Sequence, residues 1–156
     1  MVKKILVSDQ SKCSGCRSCE VWCGFHHFQE CNPNMARLKV VPFEDKGIFV
    51  PVVCHHCKDP WCLNACPANA ITRDPETNAV VILKELCTGC QACAEACPFG
   101  VIRMSSEGDA YKCDLCDGKP VCVENCSRGA LTYTEATQAF TDKATAAAVR
   151  RLEGAV

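Results

Sequence analysis

In 156 residues, 17 Lys and Arg are set against 18 Asp and Glu, a near-balance that gives no basis for expecting a nucleic-acid partner. Seventeen residues are cysteines, a density otherwise found in small secreted disulfide scaffolds. Yet Lys3 and Lys4 are followed only by Ile5, Leu6 and Val7 before Ser8 and Asp9, too short an apolar run for a secretion signal, and nothing later approaches the roughly 20 apolar residues that cross a bilayer. We therefore expect a soluble, cytoplasmic protein with no membrane span, whose thiols serve metal ligation or redox chemistry.

In chain order, a first strand is expected at residues 4–7. The first cysteine set follows: Cys13, Cys16, Cys19 and Cys23. Cys31 stands alone, and a hairpin over residues 37–53 is expected to turn at residues 44–47. The second set is Cys54, Cys57, Cys62 and Cys66. Residues 67–73 and 79–83 read as strands around the polar turn Asp74-Pro75-Glu76-Thr77-Asn78. The third set is Cys87, Cys90, Cys93 and Cys97; a short hairpin from Arg103 to Lys112 precedes the fourth, Cys113, Cys116, Cys122 and Cys126. In the tail, Thr141 is placed to cap a helix through Ala144, Val149 and Leu152, with Arg150 and Arg151 near its end and Gly154 just beyond.

The spacing points to the chemistry. The first and third sets read C-x2-C-x2-C-x3-C, and the third runs into Pro98, the bacterial ferredoxin pattern for a [4Fe-4S] cluster. The second and fourth sets lengthen one gap and read as loop variants of the same unit. A tight loop turns three thiolates onto three corners of a cubane. The fourth cysteine, at i+4 from the third, lies about 6 Å further along a short helix and serves a different cluster. Two clusters therefore share two sets, on the order of 10 Å apart.

The hairpin between Cys66 and Cys87 is the link expected between ferredoxin motifs, so the second and third sets pair. The first and fourth pair by elimination. The expected clusters are held by Cys13, Cys16, Cys19 and Cys126; by Cys113, Cys116, Cys122 and Cys23; by Cys54, Cys57, Cys62 and Cys97; and by Cys87, Cys90, Cys93 and Cys66. The endings Cys66-Pro67-Ala68-Asn69-Ala70-Ile71, Cys97-Pro98-Phe99-Gly100-Val101-Ile102 and Cys126-Ser127-Arg128-Gly129-Ala130-Leu131 form an internal repeat, each expected to be a short helix breaking into a strand. The expected fold is α+β: two ferredoxin-like modules, each for two [4Fe-4S] clusters, one nested within the other, made of short β-hairpins and short helices with a C-terminal helix. The outer module takes residues 1–49 and 113–134, the inner one residues 50–112, and the tail residues 135–156. Cores this small are marginal, so the metal must supply folding free energy and the apo-protein should be largely unfolded.

The alternative chemistry is zinc, because C-x2-C pairs also make zinc knuckles. Four cysteines in a single short run are crowded for one tetrahedral ion. There is no G-x-G-x-x-G loop, P-loop or catalytic triad pattern, and no catalytic residue is assigned. Each set already has four thiolates, so His26, His27, His55 and His56 are read as hydrogen-bond donors to sulfur or backbone rather than as ligands. Cys31 is read as a packed thiol, and Trp22 and Trp61 as shielding for the clusters. Sixteen thiolates and four cores of about +2 would leave the loaded chain near −9, which favours a basic partner face.

Residues 3–134 resemble the four-cluster, ferredoxin-type subunits of molybdenum or tungsten pterin oxidoreductases, and the related subunits of formate hydrogenlyase and carbon monoxide dehydrogenase systems. Within that group, Cys16-Arg17-Ser18-Cys19-Glu20 with Phe25-His26-His27, Asn32-Pro33, Ala36-Arg37, Cys54-His55-His56-Cys57 and Lys112-Cys113-Asp114-Leu115-Cys116 are similar to the small subunits of tungsten aldehyde oxidoreductases and of the tungsten enzyme of anaerobic benzoyl-CoA reduction, the class II benzoyl-CoA reductase. Ser127 stands where that family has proline. The resemblance implies the same pairing of sets and an anaerobic setting. It also implies a chain that is no enzyme alone but passes single electrons between a large catalytic subunit and a flavin-containing subunit or ferredoxin. A free-standing polyferredoxin, an iron-sulfur subunit of a hydrogenase or carbon monoxide dehydrogenase, and a zinc-binding interaction module remain alternatives, and self-association into a longer relay stays open.

Overall fold

The computed structural model describes residues 4–135. The helix expected from Thr141 lies outside them. The elements run β1 (Lys4–Ser8), α1 (Ser18–Phe28), β2 (Lys39–Phe43), β3 (Ile48–Val52), α2 (Trp61–Asn64), β4 (Ile71–Arg73), β5 (Val80–Ile82), α3 (Ala92–Ala96), β6 (Arg103–Met104), β7 (Ala110–Tyr111), α4 (Val121–Glu124) and β8 (Leu131–Glu135). None of the described helices is long and apolar enough to cross a membrane.

The strands form four antiparallel two-stranded ribbons, β1–β8, β2–β3, β4–β5 and β6–β7. Three are hairpins with turn chemistry written locally. Between β2 and β3 a single 3-10 turn, Glu44–Lys46, ends at Gly47 with φ of 62°, the left-handed conformation glycine adopts without a Cβ clash. Between β4 and β5 the Asp74 carboxylate accepts the N–H groups of Glu76 and Thr77 at 3.0 and 2.7 Å, an Asx turn. Pro42 and Pro51 cost these ribbons little, because a two-stranded ribbon has only edges. The fourth ribbon is not local. It pairs Lys4 with Glu135 and Ser8 with Leu131, joining the two ends of the described chain.

Helix α1 is the one extended helix among the described elements. Its buried face carries Cys19, Glu20, Cys23 and Gly24, the i, i+1, i+4, i+5 stripe of a helix resting on a core. It stops where Gln29 turns left-handed and donates its N–H to the Phe25 carbonyl at 2.9 Å. α1 packs against α4, and α2 against α3. The apolar interior falls into two clusters. One gathers Leu6, Leu38, Val40, Val53, Leu115 and Leu131 with Cys19, Cys23 and Cys122; the other gathers Ile71, Val80, Cys93, Ile102 and Ala110. Strand β3 runs across the expected boundary between residues 49 and 50, so the β2–β3 hairpin is continuous there.

Glu20 is fully buried and ties α1 to β2. Its Oε1 accepts the Val40 N–H at 2.9 Å and lies 3.6 Å from Lys39 Nζ, while Oε2 accepts from Arg17 Nε. A buried carboxylate persists only when paired and hydrogen-bonded in this way. Arg37 forms a second tie, pairing with Asp114 from the far end of the chain.

Candidate metal centres

Two backbone devices aim the sulfurs. In the first and third sets a left-handed glycine precedes the second cysteine and a left-handed residue follows it: Gly15 and Arg17 at φ 72° and 59°, Gly89 and Gln91 at 69° and 66°. The alternation wraps the loop around a point and then launches α1 or α3. A Cβ on Gly15 would run into the Phe49 ring, and one on Gly89 into the Gly108 carbonyl. The second device is the repeated ending. Asn69, Gly100 and Gly129 sit at φ 52°, 60° and 61° and return their N–H to the carbonyls of Cys66, Cys97 and Cys126 at 3.3, 3.2 and 2.9 Å. Ala70 and Ala130, each next in line, then donate to the Sγ atoms of Cys66 and Cys126 at 3.3 and 3.2 Å. Ser127 in place of proline leaves this turn intact.

Four cavities among the described residues are each walled by cysteines. One is lined by Cys13, Cys16, Cys19 and Cys126. Another is lined by Cys23, Cys113, Cys116 and Cys122, together with Cys54. A third is lined by Cys54, Cys57, Cys62 and Cys97. The last is lined by Cys66, Cys87, Cys90 and Cys93. Each brings three cysteines of one set together with the last cysteine of another. A wider cleft of about 340 Å³ runs between Phe28, Arg37, Thr77 and Tyr111, and no cysteine lines it.

Electrostatics point the same way. Burial, then the Glu20 carboxylate and the sulfurs of Cys126 and Cys13, push the Cys19 thiol up to about 12. Burial pushes Cys116 up to about 11, and raises Cys113 and Cys122 as well. Sulfurs so placed ionise together only against a shared cation. Backbone N–H groups already point at some of them: besides Cys66 and Cys126, Arg37 donates to Cys23 at 3.3 Å and Ala110 to Cys87 at 3.5 Å. Soft sulfur donors in fours, with N–H donors directed at the sulfurs, fit an iron-sulfur cubane, in which each iron takes one thiolate.

The histidines divide by role. His27 Nε2 lies 3.6 Å from Cys116 Sγ and 3.5 Å from Asp114, and burial holds its pKa down to about 4. His56 is buried and accepts the Val80 N–H through Nδ1 at 2.9 Å. His55 packs against Phe99, with ring centroids 4.5 Å apart and the ring planes tilted by 58°. His26 lies edge-on to His27. Trp61 lines the cavity of Cys54, Cys57, Cys62 and Cys97 while remaining 55% exposed. Trp22 lies edge-on to Phe25 on the outer face of α1 and lines none of the four cavities. Cys31 is exposed rather than packed, because α1 has ended and the chain is turning. The sequence singled out Glu20, Arg37, Lys112 and Asp114 only through their resemblance motifs; the burial of Glu20 and Lys112 and the pairing of Arg37 with Asp114 carry no local signal.

Fold and site together define a ferredoxin-type protein: short ribbons and helices built around quartets of cysteine. The chain belongs to the 4Fe-4S dicluster domain family, matched over residues 46–136, and it accordingly carries [4Fe-4S] clusters. It is 47% identical over 106 residues to the polyferredoxin-like subunit of an aliphatic sulfonate oxidoreductase of Pyrococcus furiosus, an alignment taking in 67% of this chain and 61% of that one. It is 36% identical over 137 residues to the electron transport protein HydN of Escherichia coli, covering 74% of this chain and 77% of that protein. The chain thus spans about three-fifths of the Pyrococcus relative. Among solved structures it resembles the active site complex BamBC of benzoyl coenzyme A reductase with benzoyl-CoA, at a TM-score of 0.52 and 28% identity over 97% of this chain and 91% of that one.

Proposed function

We propose that this chain is the electron-relaying subunit of an oxidoreductase complex, passing single electrons through four [4Fe-4S] clusters between a large catalytic subunit and a redox partner. The observation that carries the reading is the convergence of the sixteen set cysteines in fours on four similar cavities. The ligands are Cys13, Cys16, Cys19 and Cys126; Cys23, Cys113, Cys116 and Cys122; Cys54, Cys57, Cys62 and Cys97; and Cys66, Cys87, Cys90 and Cys93. When bound, each cluster supplies a one-electron couple. The protein holds the four at fixed spacing, shields them with apolar wall and directs N–H groups at their sulfurs.

The division of the interior into two clusters supports a nested arrangement of an inner module, expected at residues 50–112, inside an outer one of residues 1–49 and 113–134, with the β2–β3 hairpin, Val53 and Ala79 belonging to the outer core. Cys54 lines two cavities and supports a single row, in which the step between modules passes beside that residue. The catalytic partner is a tungsten or molybdenum pterin oxidoreductase of the aldehyde oxidoreductase type, and the electron acceptor is a flavin-containing subunit or ferredoxin. The likeness to BamBC and to the Pyrococcus oxidoreductase subunit supports this partner class. The setting is anaerobic and cytoplasmic.

Iron and acid-labile sulfide analysis of anaerobically isolated protein tests the count. About sixteen irons per chain are expected; eight or fewer, or zinc in their place, overturns the relay. Native purification tests the partner: a pterin-containing large subunit is expected to co-elute, and an isolated chain that reduces several unrelated enzymes would make it a free polyferredoxin.

A further inference from the structure

The cavity of Cys54, Cys57, Cys62 and Cys97 has a further polar wall, the imidazole of His56. The ring is 4% exposed. Its Nδ1 accepts the backbone N–H of Val80 in β5 at 2.9 Å. A nitrogen accepting a hydrogen bond carries no proton, so the neutral ring must hold its proton on Nε2. Nε2 is nonetheless buried and meets no acceptor among the described residues. Buried N–H groups without a partner are rare enough to call for an explanation. Much of the remaining wall is apolar, with Val80, Val101, Ile102 and Phe99, and offers little to hold a water in place of another acceptor. Lys112 lines the same cavity, but its Nζ donates to the carbonyls of Val80 and Cys113.

Resting on the reading of this quartet as a cluster site, we propose that His56 Nε2–H donates a hydrogen bond to a sulfur of the cluster held by Cys54, Cys57, Cys62 and Cys97, and thereby raises its reduction potential. A donor directed at sulfur draws electron density from the core and favours the reduced form. His56 is then a tuning residue, and its cluster becomes the place where an electron rests between the two modules. The Val80 bond fixes the tautomer, so the donor is set by the fold itself. The left-handed backbone at His56, φ 45°, is one that asparagine tolerates, which supplies a clean variant.

The test uses the full, anaerobically loaded chain. His56→Asn keeps an acceptor for the Val80 N–H and removes the donor at the Nε2 position; His56→Gln carries an amide N–H toward it. Iron is counted first: a native chain with far fewer than about sixteen irons would mean that the cluster reading, not the role of His56, has failed. With iron intact, an EPR-monitored redox titration is expected to show one step of His56→Asn moving to lower potential by about tenfold in electron partition, 59 mV for one electron. The other steps should stay in place, and His56→Gln should recover part of the shift. A titration of His56→Asn that superimposes on the native one overturns the proposal. If His56→Asn does not assemble, hyperfine spectroscopy on 15N-histidine-labelled protein carrying His26→Asn, His27→Asn and His55→Asn decides, because those rings lie near Cys116 or line the same cavity and would otherwise report in place of His56. A histidine nitrogen coupled to a reduced cluster supports the bond, and its absence overturns it.

Discussion

The two interior clusters of this protein are built to different standards. The one around Leu6, Leu38, Leu115 and Leu131 draws on both ends of the described chain, on the 11-residue helix α1, on a five-residue ribbon and on the ties made by Glu20 and Arg37. The one around Ile71, Val80 and Ile102 rests on strands of two or three residues and helices of four or five. Short elements neither propagate hydrogen bonds nor bury much apolar area, so they do not persist alone. The contrast teaches that the second region depends on its metal for structure, whereas the first has a protein framework the metal reinforces.

Iron removal should expose that contrast most strongly. Metal binding to sites absent from the unfolded chain is folding free energy, so anaerobic chelation should strip far-UV circular dichroism and visible absorbance together. Hydrogen exchange during chelation is expected to release the amides of β4 and β5 before those of β1 and β8. Simultaneous release would erase the distinction between the regions. Next in size is the loss of single ligands. Cys93→Ala removes a thiolate from the weaker region and should cost about four irons of sixteen, with faster loss of the remainder than in Cys19→Ala. Equal decay of the two variants would mean that both regions lean on the metal alike.

Much of the candidate site was legible because its signals are local. The gaps within each cysteine set encode loop and helix turn directly, and Asp74 to Asn78 and Glu44 to Gly47 carry turn chemistry in adjacent residues. The proposed exchange of fourth cysteines rests on an equally local signal, since i+4 from the third points one turn up a helix. What stayed hidden depends on contacts between distant residues. Nothing in Lys4 to Ser8 announces that it pairs with Leu131 to Glu135. Glu20 reads as an exposed helix carboxylate until Val40, Lys39 and Arg17 close around it. Cys31 reads as packed, as cysteines usually are, yet falls where the chain has left its helix. The proton of His56 is fixed by Val80, 24 residues away.

Mutations in the better-built region sharpen the comparison at a smaller scale. Leu131→Ala removes a nearly fully buried side chain from β8 and should destabilise by about 3 kcal/mol, read as the denaturant midpoint for loss of cluster absorbance. Glu20→Ala removes the acceptor of the Val40 N–H but leaves Arg17 and Lys39 in reach of water, so about 2 kcal/mol is expected. Both losses should fall on exchange protection in β1, β2 and β8 and spare β4 and β5. An equal loss of protection in β4 and β5 would show that the regions are one cooperative unit.

The smallest effect belongs to the one cysteine outside the four sets. Cys31 is exposed, lies past the end of α1 and lines none of the four cysteine cavities. Cys31→Ser exchanges sulfur for oxygen at a solvated position, so stability should stay within about 0.5 kcal/mol of the parent, with iron content and every redox step unchanged. The same exchange at Cys16, which is also exposed but lines a cavity with Cys13, Cys19 and Cys126, should cost iron. Exposure is shared by the two residues, so a difference between them isolates position around a cavity as what makes a cysteine a ligand here; iron loss from Cys31→Ser would show that the lone thiol serves a cluster after all.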